Sequence, residues 1–206
     1  MILLDHISLS FKNQQILTDL SAHVNQNEMV GISGRSGCGK STLLKALLGF
    51  VPLDSGRIVI DNMILEPASV RMIRQKTAYL PQDLNFPVDT VREMVQILFQ
   101  LQNNRSVTYS KDKMFFFWDM LGLEQKLYER KMHKLSGGQR QRILLSVMAM
   151  LQKPICLIDE PTSALDAEAS KKVGSLLGFL KHQGGTMIVV SHDKLLLSQC
   201  DRIINL

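Results

Sequence analysis

The sequence predicts an α/β protein in which a helical block interrupts a strand–helix core. Two observations carry this. Strand-like and helix-like segments alternate towards both ends of the chain, and from Asp89 to Lys153 the pattern is mostly helical. Alternation of that kind marks a mostly parallel sheet covered by helices, with the helical stretch as an insertion. The length of 206 residues, with 45% hydrophobic and 21% charged residues, suits one large domain with an ordinary core. Composition excludes disordered, collagen-like and disulfide-scaffold classes.

No apolar run approaches the ~18 residues of a membrane span. The longest, Ile143 to Leu151, is interrupted by Ser146. Met1 to Asp5 lacks the basic region and long apolar stretch of a signal peptide, so a cytoplasmic chain is expected. Cys38, Cys156 and Cys200 form no CxxC pair and read as reduced thiols. The formal net charge of +5 fits a nucleotide, a nucleic acid, an anionic membrane surface or no particular partner.

The elements follow in order. Ile2–Phe11, Ile16–Val24 and Glu28–Ser33 are apolar with partial alternation and are predicted strands. A Gly/Ser loop, Gly34–Gly39, precedes a predicted helix Lys40–Gly49, stopped by Gly49 with Pro52 beyond. Arg57–Ile60 and Thr77–Leu80 are short strands; Thr90–Leu101, Ser110–Leu121 and Gly137–Leu151 are helices. Ile155–Asp159, Thr186–Ser191 and Arg202–Leu206 are strands alternating with helices Ala167–His182 and Asp193–Gln199. Approximate bounds are 1–84 and 154–206 for the core and 85–153 for the helical subdomain.

Gly34-Arg35-Ser36-Gly37-Cys38-Gly39-Lys40-Ser41 fits GxxxxGK[ST], between a strand and a helix, with Thr42 extending it into the helix. Glycines there admit positive φ and turn backbone N–H groups towards a phosphate, and the helix N-terminus adds partial positive charge. Lys40 is placed for the β- and γ-phosphates and Ser41 for Mg²⁺. A nucleoside triphosphate with Mg²⁺ is the implied ligand.

Ile155–Ile158 is a continuous apolar run ending in Asp159-Glu160. Such a run reads as a central parallel strand, and its C-terminal end is where open α/β sheets bind ligands. Asp159 is suited to hold Mg²⁺ and Glu160 to polarise an attacking water.

Leu135-Ser136-Gly137-Gly138-Gln139, followed by Arg140-Gln141-Arg142, resembles the signature motif of the ATP-binding cassette (ABC) ATPases. Tyr79–Asp83 resembles the Q-loop around Gln82, Ile155–Thr162 the Walker B strand, Ser163–Asp166 the D-loop and Ser191–Asp193 the switch histidine. The resemblance covers essentially the whole chain. It implies a P-loop NTPase core with a mostly parallel sheet, an antiparallel N-terminal β-subdomain and an inserted helical subdomain. It also implies that Phe11 stacks on adenine and that Gly34–Thr42 hold the phosphates. Ser41, Gln82 and Asp159 would serve the metal, and Glu160, His192 and Gln82 the chemistry. Ser136, Gly137, Gly138 and Gln139 would meet the γ-phosphate of ATP held by a second cassette, in the simplest case a copy of this chain.

The resemblance further implies an ATPase that powers transport through separate transmembrane permease subunits, peripheral on the cytoplasmic face of the inner membrane, with no nucleic acid partner. The length is similar to compact stand-alone bacterial export cassettes, including those linked to metal or haem, which favours export. The alternative is a non-transport ABC ATPase acting on ribosomes or nucleic acid. The single set of motifs and the short interval from Lys40 to Ser136, which leaves no room for a long coiled coil, speak against it. Within the helical block, Met114, Phe117, Trp118 and Leu121 share one helix face and are predicted core. Phe115 and Phe116 fall off that stripe, as a second core face or as lining for a permease groove. Asn85–Asp89 is the stronger candidate for that groove.

Overall fold

The computed structural model describes residues 1–11, 14–83 and 86–206, and of Phe11 only the backbone. Strands β1 (Ile2–Phe11) and β2 (Gln14–Val24) pair antiparallel, and β3 (Met29–Ser33) leads into α1 (Lys40–Leu47). β4 (Ser55–Ile60) and β5 (Met63–Ile64) complete an antiparallel sheet in the order β2-β1-β4-β5. The partial alternation of β1 has a local cause. Ile2 and Leu4 are buried, then Ile7 and Leu9, so the inward phase slips by one residue. His6 sits at φ 51° between them, where the register to β2 shifts; such a bulge resets which face each side chain occupies.

The second sheet contains β6 (Thr77–Leu80), β7 (Ile155–Asp159), β8 (Thr186–Val190), β3 and β9 (Arg202–Asn205). Its order is β6-β7-β8-β3-β9, and each adjacent pair is parallel. β7 is therefore internal and buried along its whole length, as a continuous apolar run requires. Its side chains alternate between two cores. Ile155 and Leu157 join α1 and the inner face of the antiparallel sheet, while Cys156 and Ile158 join the helical side.

α1 ends as the sequence predicts, at glycine. Gly49 has φ 68°, its amide donates to Ala46 O at 2.8 Å, and the Phe50 amide donates to Lys45 O at 2.9 Å. That hydrogen-bond pair is a Schellman stop, and Gly accepts the left-handed position at no Cβ penalty. The short helix α2 (Val70–Lys76) and strand β5 were not foreseen. Ile73 is the buried residue of α2, too little apolar signal for a periodic pattern.

The remaining helices are α3 (Val91–Gln100), α4 (Lys111–Leu121), α5 (Gly137–Leu151), α6 (Ala167–His182) and α7 (Lys194–Leu197). Two 3₁₀ turns, Gln125–Glu129 and Met132–Lys134, join α4 to α5. Met114, Phe117, Trp118 and Leu121 are all buried, as their spacing predicts. The polar break in the apolar run of α5 also has a partner. The buried Trp118 Nε1 donates to Ser146 Oγ at 2.9 Å, and Ser146 donates on to Ile143 O at 2.6 Å. Phe115 packs beside Trp118 and Tyr128, with ring centroids 5.7 and 6.2 Å away. Phe116 is 53% exposed beside Phe117 and Phe179.

Candidate functional site

The loop from β3 to α1 lies at the C-terminal edge of the parallel sheet. Gly37 and Gly39 have φ of 81° and 101°. A Cβ at Gly39 would fall 2.2 Å from Ile16 Cγ2, so β2 can approach the loop only because residue 39 has no side chain. Lys40 is buried and its ammonium donates to Gly34 O at 2.9 Å and Arg35 O at 3.0 Å. Two of its three donors thus hold the loop closed, leaving one for a ligand.

A cleft of about 660 Å³ opens beside this loop. It is lined by Ser36, Gly37, Gly39, Lys40, Ser41 and Thr42 from the loop, and by Gln82, Asp159, Glu160 and His192. These residues lie far apart in the chain and are brought together by the ends of β3, β6, β7 and β8. Gly34 and Arg35 contribute through the carbonyls that hold Lys40. Cys38 turns away, into a neighbouring depression with Gln14 and Leu206. The side chain of Phe11 lies outside the described residues, as does Asn85. Thr162, Ser163, Leu165 and Ser170 also line the cleft. Thr162, Ser163 and Leu165 fall in the segments that resemble the Walker B strand and the D-loop, whereas Ser170, on α6, carries no signal in the sequence.

Asp159 and Glu160 differ in surroundings. Burial raises the pKa of Asp159, opposed by a hydrogen bond from Ser41 and by the charges of Lys45 and Lys40. Its Oδ1 is buried without a hydrogen-bond partner among the described residues. A buried carboxylate oxygen left unpaired is costly unless a ligand completes it. Mg²⁺ is bound by one or two protein oxygens with phosphates and water filling the remaining positions. Asp159 beside the Ser41 hydroxyl, with Gln82 on the same cleft wall, fits that donor set.

Burial likewise raises the pKa of Glu160, opposed by the His192 ring and backbone amide. The His192 amide donates to Glu160 Oε2 at 3.4 Å, and its Nε2 lies 3.4 Å from Oε1. Glu160 also has a left-handed backbone, φ 50°.

Ser136, Gly137, Gly138 and Gln139 do not line this cleft. They form the start of α5 as a capping box: Ser136 Oγ accepts from the Gln139 amide at 3.1 Å, and Gln139 Oε1 accepts from the Ser136 amide at 3.0 Å. Gly138 packs on the segment after β7, where a Cβ would lie 2.7 Å from Ala164 O. Ser136 is exposed. The first amides of α5 have no partner within the helix and present positive potential at the surface.

A second groove, of about 470 Å³, lies between the parallel sheet and the helical block. Phe50, Tyr79, Phe86, Leu101, Leu144 and Leu151 line it. Phe86 belongs to the segment Asn85–Asp89, whereas Phe115 and Phe116 do not line this groove: Phe115 packs against the helical core, the second core face that the sequence offered, and Phe116 is exposed on α4.

A parallel sheet with a phosphate loop after β3 and paired acids at the end of β7 defines a P-loop ATPase cassette. The chain belongs to the ABC transporter family, whose family model matches residues 17–163. A putative export ATP-binding/permease protein of Rickettsia typhi is 34% identical over 97% of this chain and 37% of its own length. A spermidine/putrescine import ATP-binding protein of Vibrio parahaemolyticus is 37% identical over 98% of this chain and 53% of its own. The chain thus spans between about a third and about half of these two relatives. A solved dimeric ATP-binding cassette in a post-hydrolysis state, bound to ADP and Pi, superposes with a TM-score of 0.86 at 29% identity, covering 100% of this chain and 94% of that one. Domains of this family bind ATP, and its cassettes are ATPases coupled to transport that dimerise and work with membrane permease components. Among the described residues, no helix is long and apolar enough to cross a membrane.

Proposed function

We propose that this chain is the motor of an ABC transporter, hydrolysing MgATP between two cassettes docked on membrane permease subunits. One observation carries the reading. The cleft gathers the phosphate loop, Asp159, Glu160 and His192, while Ser136–Gln139 of the same chain lie outside it. A phosphate-binding helix start that cannot reach its own cleft is suited to a neighbour's, which supports a head-to-tail pair. The similarity to a dimeric cassette points the same way.

In this reading Gly34–Thr42 and Lys40 hold the phosphates, Asp159, Ser41 and Gln82 hold Mg²⁺, and Phe11 takes the adenine face. Bound Mg²⁺ would neutralise charge on the β- and γ-phosphate oxygens. Glu160 orients the attacking water and takes its proton at the carboxylate, and His192 fixes that carboxylate from the far wall. Glu160 is the better base because its carboxylate faces His192 and stays clear of Ser41, whereas Asp159 lies beside the Ser41 hydroxyl. The core spans about 1–84 and 154–206 and the helical subdomain about 85–153, the 470 Å³ groove between them being the place where a permease docks. The relatives' names divide between export and spermidine/putrescine import, and the permease subunits set the direction.

The test is phosphate release together with size-exclusion chromatography of Glu160→Gln, with and without ATP. Hydrolysis is expected to fall by roughly 10²–10⁴, the range for a general base. ATP binding persists, so the variant accumulates as an ATP-bound dimer. An active variant removes Glu160 from the base role, and an inactive one that stays monomeric at high ATP removes the sandwiched dimer.

A further inference from the structure

One buried contact joins the start of α5 to the cleft. Gln141 is only 2% exposed, and its Nε2 donates to the backbone carbonyl of Glu160 at 2.5 Å. Its Oε1 is buried with no hydrogen-bond partner among the described residues. Among the described residues, the bond to Glu160 is thus the one hydrogen bond of this side chain. The carbonyl it reaches is a junction. It also accepts from the Ser163 amide at 3.3 Å and from Ser163 Oγ at 3.1 Å, while the Glu160 amide donates to Val190 O at 2.9 Å.

The need for such a junction lies in the backbone of Glu160. A φ of 50° is unfavourable for a residue with a Cβ and persists only where surrounding bonds over-determine it. The peptide plane after Glu160 sets the direction in which its carboxylate leaves the chain, towards His192. α5 is itself held on two sides. Arg142 Nη1 donates to Leu121 O at 2.8 Å, and Gly138 lies against Ala164. A donor on so fixed a helix is a rigid reference for the peptide it touches.

We infer that Gln141 is a positioning residue for Glu160, tying the helix that begins at Ser136 to the carboxylate at the end of β7. The inference rests on the reading of Glu160 as the base. Gln141 does not line the cleft; it acts through the Glu160 peptide. A displacement of the N-terminal end of α5 is transmitted by this bond to the carboxylate, so the surface offered to a second cassette and the chemistry of the chain's own cleft are mechanically joined.

Gln141→Met keeps an unbranched side chain of similar length and removes the donor. It also removes the unpaired acceptor, and the Glu160 carbonyl keeps its two donors from Ser163, so folding stability should change little. Gln141→Glu keeps the length and loses the donor, setting an acceptor against the carbonyl. In both variants kcat is expected to fall by about 10- to 100-fold, the scale of a small misplacement of a reacting group. KM for ATP should stay within about twofold of the parent, since phosphate-loop contacts are untouched. Hydrogen exchange in the nucleotide-free protein should be faster at residues 160–165 in both variants. Parent-like kcat with parent-like exchange in Gln141→Met overturns the inference. So does a fall in kcat accompanied by a matching loss of thermal stability and ATP affinity, which is what a merely structural role gives. Should Glu160→Gln prove active, the base reading fails separately, and the exchange measurement alone decides whether Gln141 holds Glu160.

Discussion

Glu160 and His192 close on one another from different strand ends, with the His192 amide 3.4 Å from one carboxylate oxygen of Glu160 and its Nε2 3.4 Å from the other. The residue after β7 and the second residue beyond β8 meet because those strands are adjacent and parallel, with Asp159 paired to Val190. The arrangement leaves the imidazole half exposed on the cleft side and the carboxylate largely covered. His192 therefore touches the Glu160 carboxylate and still opens to the cleft, the position from which the proposed contact with a γ-phosphate would be made.

His192→Ala is expected to lower hydrolysis by about 10²-fold or more, within the range for groups that assist proton transfer. ATP affinity should change little, because the loop carries the phosphates. Phosphate release and calorimetry on one preparation check both halves; a variant that hydrolyses at the parent rate would remove His192 from the chemistry.

Lys40→Ala removes an ammonium that is buried against Gly34 and Arg35 carbonyls and faces the cleft. A hydrogen bond to a charged group contributes about 1.5–3 kcal/mol, so affinity for ATP should fall by about 10- to 100-fold. The variant should still melt as a folded protein, since the loop glycines and α1 are unaffected. Unchanged affinity by calorimetry would refute the assignment of this loop to phosphate.

The parts of this site that are local in sequence were legible from the residues, Gln82 and His192 through the family resemblance alone, and the individual tertiary contacts were not. The phosphate loop, the acids after Ile155–Ile158 and the signature-like segment Leu135–Gln139 each follow from residues within one short segment. α5, α6 and β7 match their predicted bounds because their ends are marked locally: Ser136 and Asp166 cap the two helices, and Asp159-Glu160 ends the apolar run of β7. α2, β5 and the two 3₁₀ turns were missed because each is too short to show a period. The bond from Gln141 to Glu160 joins residues on different elements, and no spacing rule encodes it. Phe115 and Phe116 were ambiguous for a related reason: they occupy the flanks of α4, where the packing of Tyr128 and Phe179 decides their surroundings.

Asp201 gives the acid limb of stability a named contributor. Its carboxylate accepts from the Met29 amide at 2.8 Å and pairs with Lys181, joining β3, α6 and the entry to β9. The bond from Lys181, then that from Met29, holds its pKa below the ordinary carboxylate value. A carboxylate with a lowered folded-state pKa stabilises the fold above its unfolded value near ~4 and loses that contribution as pH falls through the folded one. Both side chains are partly exposed, so the contribution is below about 1 kcal/mol. Asp201→Asn should lower the urea midpoint at pH 7 and narrow its gap from the parent towards pH 3. A gap that is the same at both pH values would show that the charge of Asp201 contributes nothing.

Ser136→Arg tests whether the cleft is completed by a second chain. Ser136 is the N-cap of α5, exposed and remote from its own phosphate loop, so a long side chain there leaves the cleft's lining intact. Losing the cap costs about 1 kcal/mol of helix stability, which a domain of this size tolerates. In a head-to-tail pair, the new guanidinium would occupy the space into which the partner's γ-phosphate must fit. Binding of ATP to the isolated chain is expected to stay within about threefold of the parent, while hydrolysis falls by about 10²-fold or more, the scale of losing a group that stabilises transferred charge. The ATP-dependent dimer of Glu160→Gln should also disappear when Ser136→Arg is added to it. Hydrolysis at the parent rate by Ser136→Arg would mean that one chain contains its whole active site, and the start of α5 would then have no role beyond capping.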